Sequence, residues 1–328
     1  MSRCLFGWLC FPRVPPRLRY ILLSALREAC LHKNNHSILL FGANGQLGTK
    51  LNTLLARKGT VRAVGHAELD LRDLTRLRAL IQGANPELIV NAAAYTAVDA
   101  AESDAESAQM VNAEAPRVMA EVARERNALL VHYSTDYVFD GTAHKPYTEE
   151  SPVSPLGVYG ASKLAGEQAV ADSGAAHLIL RTAWLYSNRG KNFLNTMLRL
   201  ASERDELRVV NDQSGAPTYA DLVAEASVEM LDGMFNAGVV RRERCGLYHL
   251  TCLGETTWWG FARRIIELAG FGERVRVLPI TTADYPAAAK RPAYSVLSNA
   301  KLERVFGIRL PQWEEGLKRC LTERKRRG

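Results

Sequence analysis

No C-x-x-C pair and no regular spacing links Cys4, Cys10, Cys30, Cys245, Cys252 and Cys320. Neither a zinc site nor a disulfide framework is therefore expected, and a reducing cytoplasm fits best. Internal repeats and low-complexity tracts are also missing. So is a long apolar run at the front: "MSRCLFGWLCFPRVPPRLRY" is interrupted by Pro12, Arg13, Pro15, Pro16 and Arg17. That stretch lacks the continuous apolar core of a secretory signal and is too short to span a bilayer, so no integral membrane association is expected. Residues 1–36 read as a disordered or dispensable extension; Leu18, Ile21, Leu22, Ala25 and Leu26 fall at helical spacing, which leaves an interfacial helix as the other reading.

Positive charge is scarce where a nucleic-acid binder needs it. The formal net charge is +7, but it gathers at the ends, in Arg13, Arg17, Arg19, Arg27 and Lys33 and again in Arg324, Lys325, Arg326 and Arg327. No basic stripe interleaved with aromatics runs through the middle, so nucleic acid is not an expected partner. An anionic small substrate explains the internal basic residues equally well. What is present is ordinary for a folded protein: 47% hydrophobic and 23% charged residues over 328 positions. That length predicts one large α/β domain with a smaller attached lobe.

From Ser37 the pattern becomes regular. "SILLFGANGQLG" is a short apolar run ending in glycines, as a buried parallel strand turning into a helix should look. Helix is expected to about Arg57, then strand "TVRAV", helix "RDLTRLRALIQG", strand "PELIVNAAA", a long helix from about Ala105 to Arg126, strand "ALLVHYSTD", a helix carrying Tyr159 and Lys163, and strand "HLILRTAWLY". This alternation predicts a doubly wound parallel sheet of Rossmann-like type, with a smaller C-terminal substrate lobe. The expected division is 1–36 extension, 37–186 dinucleotide-binding domain and 187–328 mainly substrate-binding lobe, some segments returning to the main domain. In that last part, helices near 192–204, 218–236 and 256–269 alternate with short runs such as "LRVVN" and "LYHLT".

The chemistry-bearing residues cluster at the strand ends. Gly42, Gly45 and Gly48 form G-x-x-G-x-x-G directly after the first strand, where a tight turn lets a pyrophosphate approach a helix N-terminus. The second strand ends in "AVGH", without the acid that would bind a ribose 2'-hydroxyl; Gly65 and His66 leave room for a 2'-phosphate. Asp70 is placed to meet the adenosine, or else to cap the helix that follows. The third strand ends in the small residues of "NAAAYTAVD", and the fourth in Ser134, Thr135 and Asp136, where open α/β sheets bind ligands. Tyr159 and Lys163, four positions apart, share one helix face, which suits a proton donor and a cation that tunes it.

These features occur in the order found in the extended short-chain dehydrogenase/reductase superfamily. Within it, "FGANGQLG", "VNAAAYTAVDAAES", "YSTDYVFDG", "YGASKLAGE", "LRTAWLY", "NDQSGAPTY" and "KRPAYSVL" resemble the dTDP-4-dehydrorhamnose reductases, over roughly residues 37 to 322. The resemblance implies a catalytic trio of Thr135, Tyr159 and Lys163 acting on a nucleotide-sugar ketone with NADPH or NADH. It implies cofactor contacts at Gly42, Gly45, Gln46, Leu47, Gly48, Asp70, Leu71, Ala94, Tyr95, Thr96, Tyr133, Tyr159 and Lys163, and substrate contacts at Thr135, Asp136, Trp184 and Arg291. Sugar-nucleotide dehydratases of the superfamily carry an acidic pair after the threonine, whereas Asp136 is followed here by Tyr137, which favours simple carbonyl reduction. Some family members dimerise through Mg²⁺ held by carboxylates, one of them a glutamate two residues past the last glycine; Lys50 occupies that place. No metal ligand is therefore assigned, although Mg²⁺ and a homodimer stay open. A reductase of another nucleotide 4-keto-sugar is the near alternative, and a non-catalytic regulatory subunit like that of methionine adenosyltransferase the distant one.

Overall fold

The computed structural model describes residues 36–236 and 239–326. The expectations for the N-terminal extension, its three cysteines and Arg327 lie outside the described residues. β1 (His36–Phe41) turns through the glycine-rich segment into α1 (Gly48–Leu55). β2 (Gly59–Val64), α2 (Leu74–Ala84) and β3 (Leu88–Asn91) follow. A broken helical stretch ends in α3 (Ala115–Arg126) and leads to β4 (Leu129–Thr135), α4 (Val158–Asp172) and β5 (Ala176–Thr182). Beyond lie α5 (Ala220–Met234), β6 (Gly246–His249) and α6 (Trp313–Lys325).

The sheet runs β6-β5-β4-β3-β1-β2, and every neighbouring pair is parallel. Strand residues alternate between two cores, as the two-residue side-chain period requires. Ile38 and Leu40 pack with Leu51 and Leu55 of α1 and with Val223 and Met230 of α5. Leu39 and Phe41 face the other way, onto Leu77 and Ile81 of α2 and Val118, Met119 and Val122 of α3. Both faces are covered, which is why the strands read as continuous apolar runs. The sheet is doubly wound, with its switch point between β1 and β3.

Three features depart from the simple pattern. The run expected as one helix from Ala105 to Arg126 is α-helical at Ala105–Gln109, π-helical at Met110–Glu114 and α-helical again from Ala115. Pro116 has no N–H to give to the carbonyl four residues back, so the ladder slips there. "LYHLT" becomes β6 and pairs with β5, Gly246 opposite Leu178, as the sixth strand of the main sheet. The helix expected over 218–236 packs against α1 through a shared core, so the chain beyond 187 is interleaved with the sheet rather than set apart from it.

Candidate active site

A cleft of about 940 Å³ opens along the carboxyl ends of β1 to β5, bordered by the glycine turn, the loops after β2 and β3, the end of β4, the start of α4 and the segment after β5. At its floor Gly42 adopts φ +75°, and a Cβ there would lie 2.6 Å from the backbone of Ala92 and Ala93 beyond β3. Only glycine lets the two strand ends approach so closely. Gly48 serves the same turn from beneath, since a Cβ would overlap the Gly42 carbonyl; unlike Gly42, Gly45, Gln46 and Leu47 it does not line the cleft. α1 begins without a side-chain cap and without an acid in its first turn, directly after Gly45, Gln46 and Leu47, which line the cleft. The free N–H groups of such a helix start fit a dinucleotide pyrophosphate.

Gln46 fastens this turn to the far wall. Its Oε1 accepts hydrogen bonds from Ser187 Oγ (3.1 Å) and Asn192 Nδ2 (2.8 Å). Asp70, Leu71, Ala94, Tyr95 and Thr96 all line the cleft, as expected. Asp70 caps no helix: Asp73 caps α2 by accepting from Arg76 N, while Asp70 is tied to Arg72.

The catalytic candidates converge at the ends of β4 and α4. Thr135 ends β4, where its hydroxyl donates to Asp136 Oδ1 (3.1 Å) and accepts from Tyr137 N (3.2 Å). Tyr159 and Lys163 sit on the first turns of α4 and border the same cleft. Tyr137 packs edge-on to Tyr159, ring centroids 5.6 Å apart. α4 is locked to β5 by a buried bidentate pair, Arg181 donating to Glu167 at 2.8 and 2.6 Å. A second clamp was not legible in the sequence: the buried Asn112, inside the π turn, accepts from Tyr95 N (2.9 Å) and donates to Tyr95 O (3.1 Å) and Ser162 Oγ (3.1 Å). It joins the loop after β3 to the residue next to Lys163.

Charge at the site is governed by burial. Burial pushes the Tyr159 phenol up to about 12, with the neighbouring Thr135 hydroxyl opposing and the Asp136 charge adding. Lys163 is pulled down to about 8, burial outweighing the Glu167 carboxylate. The expected tuning of Tyr159 by Lys163 needs correction: the ammonium donates instead to the Tyr133 carbonyl (2.6 Å), with His132 Nε2 at 3.4 Å. The physical reason is desolvation, which makes a buried ammonium seek the nearest carbonyl oxygen. A phenol raised this way remains protonated at neutral pH, the form a proton donor needs. Asp136 is likewise raised by burial to about 6, and its Oδ2 has no partner among the described residues.

Trp184 borders the cleft with an unusual backbone φ of +45°. Its ring stacks on Trp258, centroids 3.5 Å apart and 4° from parallel, over Gly215, whose Cβ would overlap it. The glycine of "NDQSGAPTY" thus leaves room for the indole. A strained non-glycine residue held so firmly is characteristic of a binding site. Arg291 is placed differently from the expectation: it does not line the cleft, and its guanidinium is held bidentately by Asp99 (2.7 and 3.2 Å). Cations missed in the sequence do border the cleft, namely Arg72, Arg189 and Lys191. The last two sit in "SNRGKN", a Gly/Asn-rich basic loop whose composition could have marked it.

Among the described residues no group of three or more His, Cys, Asp or Glu is placed to hold a metal. Lys50 lies 3.2 Å from Asp221 and 3.1 Å from Glu225, filling the space between those carboxylates with its own ammonium. No described helix is long and apolar enough to cross a membrane.

A family described as the RmlD substrate binding domain matches residues 36–326. The chain belongs to this family. The RmlD-family chain is 46% identical to a dTDP-4-dehydrorhamnose reductase of Burkholderia thailandensis, over 87% of this chain and 98% of that one. It is 44% identical to the dTDP-4-dehydrorhamnose reductase of Salmonella typhimurium, over 88% and 97%. The solved structure of dTDP-4-dehydrorhamnose reductase from Bacillus anthracis, in complex with NADP, superposes with a TM-score of 0.80 at 37% identity, covering 87% of this chain and 98% of that chain.

Proposed function

We propose that this chain reduces the C4 ketone of dTDP-4-dehydro-L-rhamnose to dTDP-L-rhamnose, using NADPH or NADH. One observation carries the reading: a buried, protonated phenol, a threonine hydroxyl and a lysine meet at the strand ends of a cleft whose floor is a glycine-rich turn into an uncapped helix. The nicotinamide supplies the hydride. Tyr159 gives its phenolic proton to the C4 oxygen as negative charge develops there, and Thr135, once its hydroxyl turns from Asp136, donates a hydrogen bond to the same oxygen. Lys163 holds ribose hydroxyls of the cofactor. Gly45, Gln46, Leu47 and the α1 amides hold the pyrophosphate, Asp70 and Leu71 the adenosine, and Ala94, Tyr95, Thr96 and Tyr133 the nicotinamide side. Asp136 and Trp184 contact the sugar. Arg291 contacts the substrate diphosphate only if it leaves Asp99.

In this reading residues 37–186 form the dinucleotide side and 187–328 mainly the sugar-nucleotide side, with α5 and β6 returning to the sheet. The protein works in the cytoplasm, which agrees with Cys245, Cys252 and Cys320 all being free. Any homodimer is assembled without Mg²⁺, because Lys50 neutralises the carboxylates beside it. The test is loss of absorbance at 340 nm with NADPH and with NADH, the keto-sugar being generated in situ. Substrate-dependent loss supports the reading. No loss with a folded, nucleotide-binding protein refutes it and favours another keto-sugar or a regulatory role.

A further inference from the structure

Asn91 closes β3, and His132 lies opposite it on β4. Ile89 and Leu130, two positions back on each strand, share a core with Val170 of α4, so Asn91 and His132 continue the same face of the sheet. Both are fully buried, as is Lys163, which reaches them from α4. Each ring nitrogen of His132 faces another nitrogen: Nδ1 lies 3.1 Å from Asn91 Nδ2, and Nε2 lies 3.4 Å from Lys163 Nζ. By contrast, His36, His177 and His249 each set Nδ1 against an oxygen.

These contacts fix the proton of the imidazole. Asn91 Oδ1 accepts from Ala93 N at 3.2 Å, which turns the amide nitrogen toward the ring. That nitrogen only donates, so Nδ1 accepts from it, and the single proton of a neutral ring sits on Nε2. The ring is neutral because burial, and then the Lys163 charge, hold it well below the ordinary histidine range. Its Nε2–H therefore points at Lys163. An ammonium has three donors and no lone pair, so it cannot accept that proton, and it turns an N–H to the Tyr133 carbonyl at 2.6 Å instead. An uncharged amine has the lone pair and accepts it.

We propose that Asn91 and His132 are positioning residues for Lys163: the Nε2–H steers the ammonium onto the Tyr133 carbonyl and hydrogen-bonds the amine, and so sets the alkaline limit of the reduction. The part about turnover rests on the reductase reading; the tautomer and its effect on Lys163 do not. Burial already disfavours the lysine charge, and a donor at contact favours the neutral form further. The surrounding groups do not supply this effect. Glu167, one turn along α4, favours the ammonium and is itself held by Arg181 of β5. The Tyr133 hydroxyl turns away to Ser227, and the π turn contributes the neutral Asn112, bonded to Ser162. α2 and α3 present Leu77, Ile81, Val118 and Met119 to this face. Tyr159 and Asp136 border the cleft end of the site.

NMR of the full-length chain tests it without any turnover. With ring ¹⁵N-labelled histidine, the His132 signal, identified by its loss in His132→Gln, is expected to carry its proton on Nε2 throughout the neutral range. With lysine ¹³C-labelled at Cε, the Lys163 signal, identified by its loss in Lys163→Arg, reports its titration directly. Asn91→Asp gives Nδ1 an acceptor, moves the ring proton there and leaves Nε2 free to accept from the ammonium; His132→Gln offers the ammonium an amide oxygen. Each is expected to raise the Lys163 midpoint by about one pH unit, and the alkaline limb of the pH–rate profile with it. The glutamine variant gives the comparison if the aspartate variant does not fold. A proton on Nδ1 in the unmodified protein, or a Lys163 midpoint unchanged in a folded variant, overturns the inference. A protein that reduces no sugar but shows the tautomer and the shift keeps Asn91 and His132 in this role and discards only the reaction.

Discussion

Replacing Tyr159 by phenylalanine removes one proton donor and little else. The ring stays in place, edge-on to Tyr137, and the Lys163 ammonium keeps its bond to the Tyr133 carbonyl. What remains to protonate the sugar oxygen is poor. The Thr135 proton is committed to Asp136, and Asp136, at about 6, is roughly 3% protonated at pH 7.5. General acid catalysis contributes about 10²- to 10⁴-fold, or about 3–5 kcal/mol of barrier. We expect turnover to fall by that factor, with cofactor affinity in fluorescence titration within about threefold of the unmodified protein. The residual rate should also rise as pH drops toward 6, because Asp136 then gains the proton it lends. A loss of less than about tenfold would refute the assignment of Tyr159 as the acid.

Three more outcomes follow from the same geometry. Activity should decline as pH rises through about 8, because burial lowers Lys163 and its charge is lost there, long before Tyr159 at about 12 gives up its proton; Lys163→Arg should abolish that basic limb in the pH–rate profile. Asp136 is raised from 3.8 to about 6, so its contribution to stability is complete below the unfolded value and is lost as pH climbs through about 6. Asp136→Asn should accordingly raise Tm at pH 7.5 and not at pH 4, while lowering turnover; an equal effect at both pH values contradicts this. Gly42→Ala meets both a left-handed backbone and a close neighbour, and should cost about 2 kcal/mol or more in urea unfolding along with nucleotide affinity.

How far the sequence carries can be seen residue by residue. The alternation of apolar strands and amphipathic helices was legible because burial on both faces leaves unbroken apolar runs at Ile38–Phe41 of β1 and Leu88–Val90 of β3. The glycine turn and the Tyr159–Lys163 pair were legible because both depend on local spacing. Partners distant in the chain were not. Arg291 reads as a free cation until Asp99, 192 positions away, is seen to hold it. The π turn hides inside a helix-like pattern because one extra residue leaves the apolar face intact on either side of it, and the role of Asn112 hides with it. Arg72 sits in a charged loop with no periodicity, and only the turn on Gly65 aims it at the cleft. β6 reads as part of the lobe because pairing with β5 is decided by topology, not by its own four residues.

The most direct test of the central claim is where the hydride goes. dTDP-4-dehydro-L-rhamnose, formed in situ, is incubated with the protein and NADPH carrying deuterium at the transferring position of the nicotinamide, and the product is read by NMR. The account predicts dTDP-L-rhamnose bearing one deuterium at C4, absent when Tyr159→Phe replaces the unmodified protein over the same time. Deuterium at another carbon, or unchanged keto-sugar in the presence of folded protein with bound nucleotide, would contradict it.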